Sequence, residues 1–121
     1  MRTDIMDFSD YAFNAKITAN IDENEYHVLG VAALGLAGES GEVADIAKKI
    51  IAHGHSFDNE AKLKIAHELG DILWYIWLMS YCIDYSLVDI ARMNIKKLSD
   101  RYPDGFDIKK SKERYNNNIG D

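Results

Sequence analysis

The chain has 121 residues, 47% of them hydrophobic, enough for one small domain with its own core. A formal charge of −6 gives no general attraction to nucleic-acid phosphates, so neither DNA nor RNA is an expected partner. The single cysteine, Cys82, allows no internal disulfide and no cysteine-based zinc site, and points by default to a reducing, cytoplasmic setting.

In chain order, Met1 to Asp10 carries acidic residues and no apolar stretch of signal-peptide length, so secretion is not indicated. Roughly Asp7 to Ala19 predicts a first helix, with Phe8, Tyr11, Ala12 and Ala15 at helical spacing before the polar break Asn20 to Asn24. A second helix spans about Glu25 to Ala52 despite Gly30, Gly35, Gly38 and Gly41, each costing about 1 kcal/mol against alanine. Close approach of another backbone or of a ligand is the expected reason. Gly54 ends this helix, and Asp58 or Asn59 can cap a third that runs to about Asp84. Within it, the twelve apolar residues Ile72 to Ile83 fall short of the roughly 20 that a bilayer span needs, so they read as a buried helix and no membrane is expected. Ser86 caps a fourth helix carrying Leu87, Ile90, Ala91, Ile95 and Leu98 on one face, and Pro103-Asp104-Gly105 stops it. The expected fold is all-α with four helices in one domain over residues 1–108, followed by a polar tail over 109–121 that is poorly ordered or tied down only by a partner.

Two pairs of acids stand out. Glu39 and Glu42 are three apart on the second helix and share a face, and Glu68 and Asp71 repeat the spacing on the third. Both pairs lie equally far from a turn centred near His55, so an antiparallel hairpin brings them to one height, facing each other. Four converging carboxylates beside Val43, Ala44 and the Ile72 run would raise their pKa values or push the helices apart unless a cation joined them. An oxygen-only donor set favours magnesium or manganese over zinc. Positive charge for phosphate is available from Lys97 and Arg101 on the fourth helix, beside Asn94, which can reach metal-bound water or a phosphate oxygen, and from Lys48 and Lys49 beyond Glu42. Taken singly, each acidic pair is also what a solvated helix face offers, and the lysines and Arg101 could be ordinary surface residues.

Leu36-Ala37-Gly38-Glu39-Ser40-Gly41-Glu42-Val43-Ala44-Asp45, Glu68-Leu69-Gly70-Asp71-Ile72-Leu73-Trp74-Tyr75 and Asn94-Ile95-Lys96-Lys97-Leu98 together resemble the MazG-like all-α nucleoside triphosphate pyrophosphohydrolases. Their signature is Glu-x-x-Glu, a spacer, then Glu-x-x-Asp; here the spacer is 25 residues. Arg101-Tyr102-Pro103-Asp104-Gly105-Phe106 resembles the ending after the last helix in many small members, so the likeness covers about Leu29 to Phe106. The resemblance implies hydrolysis of a (d)NTP to the (d)NMP and pyrophosphate by a metal-activated water. It implies Glu39, Glu42, Glu68 and Asp71 as metal ligands and catalytic groups, with Asn94 and Lys97 on metal or phosphates. It also implies a homodimer or a dimer of dimers. A base pocket would lie toward the first helix, with Phe8, Tyr11, Phe13, Asn14 and Trp74 as candidates, although Trp74 and Trp77 on the apolar helix equally suit a core.

Other readings compete. A di-iron bundle would need Glu-x-x-His pairs, which neither acidic pair supplies. His53 and His55 flank Gly54 and could chelate a metal, but histidines at a polar turn are commonly solvated. A non-catalytic dimerisation module would keep its carboxylates solvated, and a phosphoribosyl-ATP pyrophosphohydrolase would share the fold and differ in substrate.

Overall fold

In a computed structural model, which describes Met1 and residues 6–117, five helices and no strands are present among the described residues. Asp7 caps α1 (Phe8–Thr18) by accepting from the Asp10 N–H at 2.7 Å. Asn24 caps α2 (Glu25–Ala52) by accepting from Tyr26 and His27. The turn after α2 depends on Gly54 at φ 72°, which lets the His55 N–H reach back to the Lys49 carbonyl at 3.1 Å. Asp58 then opens α3 (Asn59–Cys82) by accepting from Ala61 at 2.9 Å. At its far end Asp84 takes the left-handed conformation, φ 61°, and Tyr85 donates back to the Ser80 carbonyl. A fourth helix, α4, covers Leu87–Arg101.

A fifth helix, α5 (Ile108–Asn117), occupies most of the stretch expected as a poorly ordered tail. Asp107 explains the difference, because its carboxylate accepts from both Lys109 and Lys110 and nucleates the first turn. Arg114 then stacks 4.7 Å over the Tyr102 ring and donates to its hydroxyl at 2.7 Å. Asn118, the end of the expected Asn run, lies outside the described residues.

The chain divides into two compact units, one through Val88 and one from Asp89 onward. In the first, α2 and α3 form an antiparallel hairpin and α1 lies against α3. Ala15, Val28, Ala32, Trp77, Leu78 and Leu87 make the core, gathered at the end of the hairpin away from the α2–α3 turn. No residue from Ala33 to Ile76 is buried. The Trp74 indole N–H is donated to Thr18 Oγ1 at 2.9 Å, tying α3 to α1. Gly35 is the glycine that close packing requires, since a Cβ there would run into the Tyr75 ring. At Gly30, Gly38 and Gly41 a Cβ would meet nothing within 4 Å, so close packing within the chain does not explain them. No described helix is long and apolar enough to cross a membrane.

Candidate metal centre

The register expected of the hairpin places acids from both helices together. Glu39, Glu68 and Asp71 each offer a carboxylate oxygen, and all three oxygens lie within 4.8 Å of one another. Glu39 and Glu68 are half-buried and Asp71 is exposed. The hydrogen bond that the Glu39 carboxyl donates to Glu68 holds it above its ordinary pKa, with partial desolvation and the charges of Asp71, Glu68 and Glu42 adding to the effect. Glu42 is exposed and outside the group of three, although near enough for its charge to reach Glu39.

The donors fit a hard divalent cation. Two ligand oxygens at about 2.1 Å from one magnesium can be at most about 4.2 Å apart, so a spread of up to 4.8 Å closes with sub-ångström side-chain shifts. Among the described residues this is the one group of three or more histidine, cysteine or carboxylate side chains placed in this way.

The profile of the MazG nucleotide pyrophosphohydrolase domain matches residues 31–106, which include both acidic pairs and Asn94 to Arg101. The chain belongs to this family. A relative, the Gene 37 protein of Mycobacterium phage L5, is 32% identical over 74 residues, an aligned stretch of 60% of this chain and 65% of that protein. No solved structure matches.

Other residues singled out from the sequence distribute around this MazG hairpin. Tyr11 is half-buried, and burial followed by the charge of Asp71 pushes its phenol pKa up. With Met6, Asp7, Phe8 and Leu73 it lines a cavity of about 300 Å³. Asn14 is half-buried on α1, and Phe13 is exposed there. Trp74 has its N–H committed to Thr18 and its ring edge-on to Tyr75 at 5.1 Å, and Trp77 is core. Lys48 and Lys49 both pair with Asp45, at 3.1 and 2.8 Å. Lys49 pulls the Asp45 carboxyl below its usual range, with Lys48 assisting. Asp45 in turn raises the Lys49 ammonium, burial opposing and Glu42 adding to the rise. Asn94, Lys97 and Arg101 are exposed on α4, in the second unit. His53 and His55 are exposed at the turn, as expected of a solvated pair.

Lys64, one turn before Glu68, and Met6 and Leu73, in the cavity beside Tyr11, are not among the residues that the sequence singles out. The i, i+4 spacing from Lys64 to Glu68 was the available signal for the first. Apolar cavity walls carry no comparable sequence mark.

Proposed function

We propose that this chain hydrolyses a nucleoside triphosphate to the monophosphate and pyrophosphate. The observation that carries the reading is the convergence of Glu39, Glu68 and Asp71 from two facing helices, inside the stretch that matches the family. Glu42, one turn from Glu39, joins them as the fourth carboxylate. Magnesium, or manganese in its place, would offset the phosphate charge and lower the pKa of an attacking water. A carboxylate of the set takes that water's proton, its oxygen bonds the α-phosphorus, and the α–β bridging bond breaks, with pyrophosphate leaving on its electron pair. Asn94, Lys97 and Arg101 of α4 and Lys48 of α2 serve as phosphate grips.

The base is assigned to the apolar cavity beside Tyr11 and Phe8, with Asn14 and Trp74 on neighbouring turns. The effect of the Asp71 charge on Tyr11, which lines this cavity, supports the assignment. A homodimer, alone or paired into a tetramer, is part of the reading. It is supported by the absence of any buried residue from Ala33 to Ile76 and by the open row Leu34, Gly38 and Gly41 on α2. A cytoplasmic place follows from a nucleotide substrate and a lone cysteine.

The test is a product assay of the purified protein against the common NTPs and dNTPs with magnesium, resolving monophosphate plus pyrophosphate from diphosphate plus phosphate. Monophosphate and pyrophosphate formed only with metal is the expected outcome. Diphosphate plus phosphate would replace the reaction. No turnover of these or of noncanonical nucleotides, together with unchanged self-association in Glu39→Gln and Asp71→Asn, would move the assignment to a dimerisation module.

A further inference from the structure

The same hairpin carries a second cavity, about 470 Å³, at the α2–α3 turn. Lys49 comes to it from α2 and Lys64 from α3, with His55 and Ser56 from the turn between them. Both lysines continue faces that the carboxylates occupy. Lys64 is four residues before Glu68, about 6 Å along the axis, and Lys49 is seven beyond Glu42, about 10 Å. The influence of Glu42 on the Lys49 ammonium is consistent with that nearness.

Charge is distributed unevenly about the carboxylates. Of the five described lysines in the first unit, Lys48, Lys49, Lys62 and Lys64 surround the turn. Lys16 stands at the other end, beside a cavity lined by Asp22, Glu23, Glu25 and Asp84. A phosphate chain extending that way would meet four carboxylates; one extending toward the turn meets ammonium groups. Acids are present there too, but they are already engaged: Asp58 caps α3, Glu60 pairs with Lys64 at 3.4 Å and Asp45 with Lys49. Exposed pairs of this kind contribute little, so a doubly charged phosphate can take the lysines from them.

Resting on the pyrophosphohydrolase reading, we propose that the turn cavity receives the β- and γ-phosphates. The triphosphate then lies along the hairpin, its α-phosphate at the carboxylates and its leaving pyrophosphate between Lys49 and Lys64. Lys49 and Lys64 are binding residues in this arrangement, gripping phosphates that a nucleoside monophosphate lacks.

The experiment compares wild type, Lys49→Ala/Lys64→Ala and Lys62→Ala by calorimetric titration with magnesium pyrophosphate and, separately, with a nucleoside monophosphate. Expected in the double variant is at least about a tenfold loss of pyrophosphate affinity, monophosphate affinity within about twofold of wild type, and a matching rise in KM with little change in kcat. Lys62→Ala, whose ammonium sits over the Phe57 ring, should match wild type throughout. Unchanged pyrophosphate affinity in the double variant, equal losses for the two ligands, or no pyrophosphate binding by wild type would each overturn the assignment. Selective loss of pyrophosphate binding in a protein that hydrolyses no nucleotide would keep the cavity and remove the reaction. Normal hydrolysis with unaltered binding would do the reverse.

Discussion

The Glu39 carboxyl is held above its ordinary pKa by its hydrogen bond to Glu68, and this sets the sign of a pH effect. A carboxyl whose folded pKa is raised contributes stability at low pH, and that contribution disappears as pH rises through the folded value. The metal-free protein should therefore lose stability from this site on going from about pH 5 to about pH 7.5, while magnesium, which must displace the proton, should stabilise it more at the higher pH. Thermal unfolding with and without magnesium at both pH values measures this, and Glu39→Gln should flatten both trends. Equal magnesium stabilisation at the two pH values would count against proton and metal sharing the site. Glu42 is a sharper case, because sequence spacing makes it one of four while the structure leaves it exposed beside three. If it swings in as the fourth ligand, Glu42→Gln should lower kcat by about a hundredfold or more at saturating magnesium with the unfolding midpoint unchanged. Near wild-type turnover would reduce the site to Glu39, Glu68 and Asp71.

Among the elements, the α2–α3 hairpin offers a matched pair of substitutions. Gly35→Ala should cost about 1–3 kcal/mol, because the new methyl meets the Tyr75 ring. Gly70→Ala, on α3 and facing open space, should gain about 0.5–1 kcal/mol from helix propensity alone. Urea denaturation of the two variants measures both, and the same sign in each would contradict the packing. The boundaries of α2 and the caps Asp58 and Gly54 were legible because each rests on local chemistry: a side-chain acceptor for free N–H groups, or a residue that tolerates positive φ. The facing of the acids was legible because equal distances from one turn fix equal heights. What was not legible depends on contacts distant in sequence. Which of four glycines meets a ring is decided by Tyr75, forty residues away. The α5 helix escaped notice because its polar sequence has little to bury, and its stability comes from Asp107 at its start and Tyr102 beneath Arg114.

For the whole molecule, the uneven core is the deciding feature. Its buried residues lie at one end of the hairpin, while the half that carries the carboxylates has Leu34 at 76% and Leu69 at 52% exposure. The proposed dimer would cover this apolar surface, since a two-fold pairing of like surfaces is the commonest arrangement in soluble oligomers. Leu34, Gly38 and Gly41 follow one another at i, i+4 and i+7 on α2, and the two glycines leave room for a second helix to come close. Leu34→Glu would set two like charges against each other across such an axis. Light scattering after size exclusion should then read a dimer or tetramer for wild type and a smaller species for the variant, with thermal stability reduced. Turnover should fall with the assembly, because the carboxylate half of the hairpin loses the contact that holds its helices in register. A wild type that stays monomeric at high concentration would reject the pairing and leave Leu34 a solvated residue. A variant that dissociates yet keeps its kcat would show that one hairpin holds its four carboxylates without a partner.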